Sequence, residues 1–155
     1  MKGDIKILEL LNDVLADELT AISQYMVHAA MCEDWGYKEL HDTIEHRAID
    51  EMKHAEMLID RILFLEGTPV VSNLKKMHIA GDVLGQFKAD LESEVFAIRA
   101  YNEGIKLVTS LSDKGTAIIL EGILKEEEHH LDWIQTQLDQ IDQMGIQSYL
   151  SMQIG

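Results

Sequence analysis

Apolar residues recur every three or four positions along four long stretches of this chain, the spacing of one face of an α-helix. The first row reads Leu8, Leu11, Leu15, Glu18, Ile22, Tyr25, Ala29, and the second Ile44, Ala48, Glu51, His54, Leu58, Ile62, Leu65. The third reads Phe87, Leu91, Glu94, Ile98, Tyr101, Ile105, Val108, and the fourth Ile123, Glu127, His130, Ile134, Leu138, Ile141. Turn signals separate them: Asp34-Trp35-Gly36, Gly67, Ser112-Asp113 and Gly145. The pattern predicts helices over residues 5–34, 37–65, 82–111 and 114–144, then a short last helix over 146–152. Residues 67–81, which hold the only proline, Pro69, are too many for a tight turn and enough to cross the length of a bundle. The expected fold is all-α, a single domain over residues 1–155: two antiparallel helical hairpins joined by one long crossover, with a short fifth helix at the C-terminus.

Each row is apolar except where glutamate or histidine interrupts it, and the interruptions repeat. Glu18, Glu51 and His54 recur as Glu94, Glu127 and His130, each 76 positions after its counterpart. The apolar neighbours keep the same offset, with Leu11 matching Phe87, Leu15 Leu91, Ile22 Ile98, Tyr25 Tyr101, Leu58 Ile134 and Ile62 Leu138. Each half thus supplies one lone carboxylate and one Glu-x-x-His. Composition alone yields roughly one Glu-x-x-His pair in such a chain. Here there are three, and Glu126/His129 serves as an internal control, because its row (Gly122, Glu126, His129, Trp133, Thr136, Gln140) is mostly polar or small and is expected to face solvent.

A carboxylate in an apolar stripe is costly unless it is paired or bound to a cation. Arg47, Arg61 and Arg99 are too few to pair four of them, and none repeats at the 76-residue offset. Four carboxylates and two imidazoles brought together from four helices suit two hard-to-borderline divalent metals side by side, with some carboxylates bridging: a di-iron site. Tyr25, two turns from Glu18 on the same face, reads equally as a hydrogen-bond donor or electron source beside that site and as a core aromatic with a satisfied hydroxyl. His46 and Asp50 read either as a metal site or iron relay on an inner surface, or as an ordinary exposed i,i+4 pair. His28, His41, His78 and Cys32 have no partner at ligand spacing and are assigned to solvent or packing.

The 155 residues carry 46% apolar and 26% charged positions, ordinary for a soluble globular protein. A net charge of −15 with dispersed basic residues argues against nucleic acid as a partner. No run is apolar enough for a membrane span, and the start, MKGDIKILELL, lacks the apolar run and cleavage site of a signal peptide. A single cysteine, Cys32, forms no internal disulfide, so the cytoplasm is the expected compartment.

The constellation and its surroundings resemble the bacterioferritins, within the ferritin-like superfamily. The resemblance runs from Met1-Lys2-Gly3-Asp4 through Asp50-Glu51-Met52-Lys53-His54-Ala55 and Arg61-Ile62-Leu63-Phe64-Leu65-Glu66-Gly67 to Tyr149-Leu150. It implies a ferritin-like bundle in a hollow shell of 24 subunits that stores ferric mineral, with a ferroxidase centre in each subunit oxidising Fe(II) with O2 or H2O2. Its ligands would be Glu18, Glu51, His54, Glu94, Glu127 and His130, with Glu51 and Glu127 bridging. It also implies haem b between pairs of subunits, held by Met52 of each, and a small iron–sulfur ferredoxin as reductant for iron release. Met52 follows Glu51 directly and so points about 100° away from the metal face. Leu19, Ile22, Ser23 and Met26 are available to line such a pocket. A rubrerythrin-like di-iron peroxidase is the alternative enzyme, but such proteins usually append a four-cysteine iron domain. A DNA-binding mini-ferritin would need a site between subunits and a basic tail. A haem-free ferritin and a metal-free helical interaction module complete the alternatives, and the repeated ligand set counts against the last.

Overall fold

The structure, a computed structural model, describes residues 1–155 as five helices without strands: α1 (Ile5–Asp34), α2 (Lys38–Phe64), α3 (Val83–Ser110), α4 (Lys114–Met144) and α5 (Ile146–Ser151). α1 pairs with α2 and α3 with α4, and residues 65–82 carry the chain between the two hairpins. It is the all-α, ferritin-like four-helix bundle with a short C-terminal helix that the pattern predicts, with helix ends within one or two residues of expectation. No helix is long and apolar enough to cross a membrane.

Local chemistry sets the ends. Asp4, Asp82 and Asp113 each accept a backbone N–H of the following first turn, from Lys6 (2.8 Å), Gly85 (2.7 Å) and Thr116 (3.0 Å). At the end of α2 the left-handed residue is Glu66 (φ 61°), not the expected terminator Gly67. Gly67 answers a different demand, since a Cβ there would lie 2.5 Å from Leu8 Cδ2.

The core is divided in two. One apolar cluster, including Leu11, Leu15, Leu58, Ile62, Val108 and Leu120, fills one end of the bundle. The other, including Ala29, Leu40, Ile44, Phe87, Ile134 and Tyr149, fills the opposite end. α5 closes that second end by burying Tyr149, whose hydroxyl donates to Gln137 Oε1 at 2.7 Å and whose ring meets Phe87 edge-on. Between the clusters lies a buried polar layer.

The crossover is tied along α1 by backbone donors. Val70 N–H donates to Asn12 Oδ1 (2.8 Å), Lys75 N–H to Thr20 Oγ1 (2.8 Å), His78 N–H to Gln24 Oε1 (3.0 Å) and Ala80 N–H to His28 Nε2 (3.2 Å). Because Nε2 of His28 accepts, its ring proton sits on Nδ1 and points at Asp90 Oδ1, 2.9 Å away on α3. Gln24 Nε2 donates to the same carboxylate at 2.8 Å. His28, assigned from sequence to solvent or packing, is therefore a fully buried clasp between α1, α3 and the crossover. His41 does match that assignment, lying part-buried against the Ala29 carbonyl at 2.9 Å.

His28→Ala leaves the buried Asp90 carboxylate with Gln24 as its donor and strands the Ala80 N–H of the crossover, so it should cost about 3 kcal/mol. His41→Ala should cost less than about 1 kcal/mol. Denaturant midpoints of the metal-free protein separate the two.

Candidate metal centre

Six side chains from four helices meet in the polar layer: Glu18 of α1, Glu51 and His54 of α2, Glu94 of α3, Glu127 and His130 of α4. All six are buried. Each Glu-x-x-His places its two side chains one turn apart on the inward stripe. Ligand atoms of Glu18, Glu51, His54 and Glu127 lie within 4.8 Å of one another, as do those of Glu51, Glu94, Glu127 and His130. Glu51 and Glu127 belong to both groups, so the cluster is two adjoining four-ligand sets with two shared carboxylates.

The inward nitrogen of each histidine is Nδ1. His54 Nδ1 lies 3.0 Å from Glu127, 3.5 Å from Glu51 and 3.6 Å from Glu18. His130 Nδ1 lies 3.0 Å from Glu51 and 3.6 Å from Glu94. Each outward Nε2 meets a further carboxylate: Glu126 at His54, and Asp50, 3.2 Å away, at His130. Asp50 and Glu126 are themselves 76 positions apart, so this outer pair repeats with the ligands. A carboxylate behind a histidine fixes the ring and raises its basicity as a ligand.

The tyrosines cross between the halves. Tyr25 donates to Glu94, and Tyr101 donates to Glu18 at 2.5 Å. Burial, then the neighbouring charges of Glu94 and Glu18 respectively, pushes both phenols well above their usual range, which keeps them as donors. Tyr25 is thus a core aromatic whose hydroxyl is satisfied by Glu94, and Tyr101, noted in the sequence only as its repeat, makes the matching bond to Glu18. Glu126 is exposed as expected, yet it is not a bystander, because its carboxylate caps His54. The 76-residue offset that exposed the ligands also links Tyr101 and Glu126 to residues already singled out.

Burial pushes the Glu51 and Glu127 carboxyls well above the usual range, with the Glu18 charge adding at Glu51 and the Glu51 charge at Glu127. At Glu94 burial is outweighed by the His130 hydrogen bond and charge, and the carboxyl is held low. Burial disfavours the charged imidazoles, but Glu127, Glu18 and Glu51 outweigh it at His54, and Glu94 at His130, so both are raised. Even so, Glu18 Oε2 and Glu94 Oε2 are buried without a hydrogen bond, and Glu127 Oε1 and His54 Nδ1, which face each other at 3.0 Å as an ion pair, make no aligned hydrogen bond. Arginine does not resolve this: Arg61 pairs with Asp113 at 2.9 Å, and Arg47 stacks on Trp133. Four buried atoms of carboxylate and imidazole type without an aligned hydrogen bond, turned inward from four helices, fit divalent metal.

The remaining candidates lie outside the layer. Met52 is 46% exposed on the outer face of α2. His46 is exposed and approaches Asp50 at 3.8 Å, which places Asp50 between His46 and His130.

A bundle of this topology with such a layer is the ferritin-like class of helical protein. The Ferritin-like domain family matches residues 8–144. The bacterioferritin of Streptomyces coelicolor is 41% identical over 151 residues, 97% of this chain and 90% of that protein. Those of Mycolicibacterium paratuberculosis and Rhodobacter capsulatus are 40% and 38% identical over 149 residues, 96% of this chain and 94% and 92% of theirs. The chain belongs to the bacterioferritin family.

Groups whose pKa is raised hold protons that a metal must displace. Loading metal-free protein with Zn2+ near neutral pH should therefore release protons from His54, His130, Glu51 and Glu127, and the apparent affinity should fall as pH falls. Titration in weakly buffered solution reads the release directly. Glu126→Ala should weaken Zn2+ binding roughly tenfold by uncapping His54, whereas His129→Ala leaves it unchanged. Competition with a chelator measures both.

Proposed function

We propose that this protein is an iron-storage ferroxidase, a single ferritin-like domain that oxidises Fe(II) with O2 or H2O2 at an intrasubunit di-iron centre and keeps the ferric product as mineral in a 24-subunit shell. The observation that carries this reading is the pair of adjoining ligand sets with shared Glu51 and Glu127 and inward atoms without an aligned hydrogen bond. Glu18 and His54 would hold one iron, Glu94 and His130 the other, with Glu51 and Glu127 between them. Two ferrous ions held together give two electrons to one oxidant molecule, so a one-electron-reduced oxygen species need not leave.

What the chain contributes is position and charge. The four carboxylates favour the ferric state, and two neutral imidazoles keep the site from becoming too anionic to return. Tyr25 and Tyr101 hold Glu94 and Glu18 by hydrogen bonds, so these ligands keep one orientation as the charge changes. Glu126 and Asp50 accept from the outer nitrogens of His54 and His130 and leave Nδ1 free to ligate. Asp50 stands between exposed His46 and His130, and relaying iron from the inner surface toward the centre is the role we assign to the pair.

Several large apolar side chains stand exposed, among them Met26, Ile49, Met52, Leu63, Phe64 and Leu74, as expected of a subunit that packs against copies of itself. Met52, an exposed thioether beside Ile49 on the outer face of α2, fits axial ligation of haem b shared between two subunits. The haem would assist iron release, with a small iron–sulfur ferredoxin as reductant. The −15 charge favours cation uptake over nucleic-acid binding, and the cytoplasm suits the one buried thiol.

Metal-free protein should bind two Fe(II) per subunit and oxidise them rapidly on mixing with O2 or H2O2. Glu94→Ala or Glu127→Ala should reduce the fast absorbance phase by about a hundredfold or more. An unchanged fast phase in both variants would overturn the assignment. Met52→Leu keeps the volume but removes the ligand, so it should abolish the haem absorption band while sedimentation still gives a particle of several hundred kilodaltons.

A further inference from the structure

A cavity of about 380 Å³ opens under the crossover between α1 and α3, and Glu18, Glu51, Glu94 and Glu127 form its inner end. That end is where Glu18 Oε2, Glu94 Oε2 and Glu127 Oε1 lack an aligned hydrogen bond. Lys75 of the crossover, part-exposed where the carboxylates of the inner end are buried, lines the outer part of the cavity. Its backbone N–H is fixed to Thr20, and its side chain turns back so that Nζ lies 2.5 Å from Asp17 Oδ1 and 2.9 Å from Asp13 Oδ1. The Phe96 ring of α3 stands on its other side, 5.7 Å from Nζ to the ring centroid. Asp17 directly precedes Glu18 in sequence, is only 11% exposed, and keeps Oδ2 buried without a partner.

We propose that Lys75 is a tethered cation gating a side route into the metal centre, and that an incoming divalent ion displaces its ammonium from Asp17 before passing to Glu18 and the shared carboxylates. This rests on the metal-centre reading above. The ammonium occupies in that outer part the position a cation in transit would take, between carboxylates of α1 and above four more. It carries one charge on a flexible four-carbon stem, so a dication competes for the same oxygens with twice the charge and the stem can swing out into solvent. Lys75 slows approach by its charge, whereas Asp17 promotes it by attraction, so the two halves of one ion pair act in opposite directions on the rate of loading.

That opposition is the test. Stopped-flow absorption follows Co2+ binding to the assembled, metal-free protein without any redox chemistry. Lys75→Met, which keeps the backbone bond to Thr20, should raise the association rate roughly tenfold, the low end of what a charged cleft contributes. Asp17→Asn should lower it by a similar factor, Lys75→Arg should stay near the parent, and all should still bind two Co2+ per subunit. An ion pair that only braces the crossover would shift both variants in the same direction. That result, or unchanged rates with two Co2+ bound, overturns the gate and leaves the centre standing. Failure of the parent protein to bind Co2+ overturns the centre and the gate with it.

Discussion

Four carboxylates buried in one layer, each within a few ångströms of the shared pair Glu51 and Glu127, repel each other and forgo hydration, and the architecture depends on how that penalty is met. Within the protein it is met only in part. Burial pushes Glu51 and Glu127 toward the protonated state, the imidazoles of His54 and His130 are drawn toward the charged one, and two tyrosine hydroxyls reach across to Glu18 and Glu94. Ligand atoms on Glu18, Glu94, Glu127 and His54 still have no aligned hydrogen bond. A divalent pair would complete the balance, so the cost of the metal-free layer and any affinity it has for metal would share one origin. The layer also explains the divided core, since apolar clusters above and below seal it.

The repeat at 76 residues means that each half builds the same half-site and completes the other's. Tyr25 of the first half bonds Glu94 of the second, Tyr101 bonds Glu18, and the outer nitrogens of His54 and His130 find Glu126 and Asp50 across the same boundary. Neither hairpin alone satisfies its own buried groups, and this interdependence couples docking of the hairpins to formation of the centre. The crossover serves the same end, because its clasp through His28 and Asp90 fixes α3 against α1 beside the centre.

Most of the fold and the six central residues were legible in the sequence because both rest on periodicity. Four apolar rows gave the helices, and glutamate or histidine within a row marked positions where burial and charge conflict. What periodicity could not show was contact across the bundle. Tyr101 sat in its row as an ordinary aromatic, and Glu126 sat on a polar face, where exposure gave no hint that its carboxylate reaches His54. His28 looked unpartnered because Asp90 and Ala80 approach it from 62 and 52 residues away, through the crossover's path. Gly67 read as a helix stop, whereas the left-handed turn falls on Glu66 and Gly67 makes room for Leu8.

The central claim is that one buried layer holds two metals through two shared carboxylates. Anomalous diffraction at the iron edge, from crystals loaded with Fe(II) without oxygen, tests it most directly. Two peaks per subunit are expected, one beside Glu18 and His54 and one beside Glu94 and His130, with Glu51 and Glu127 between them. A single peak in the layer, or iron found only at exposed positions such as His46 and His129, would contradict it.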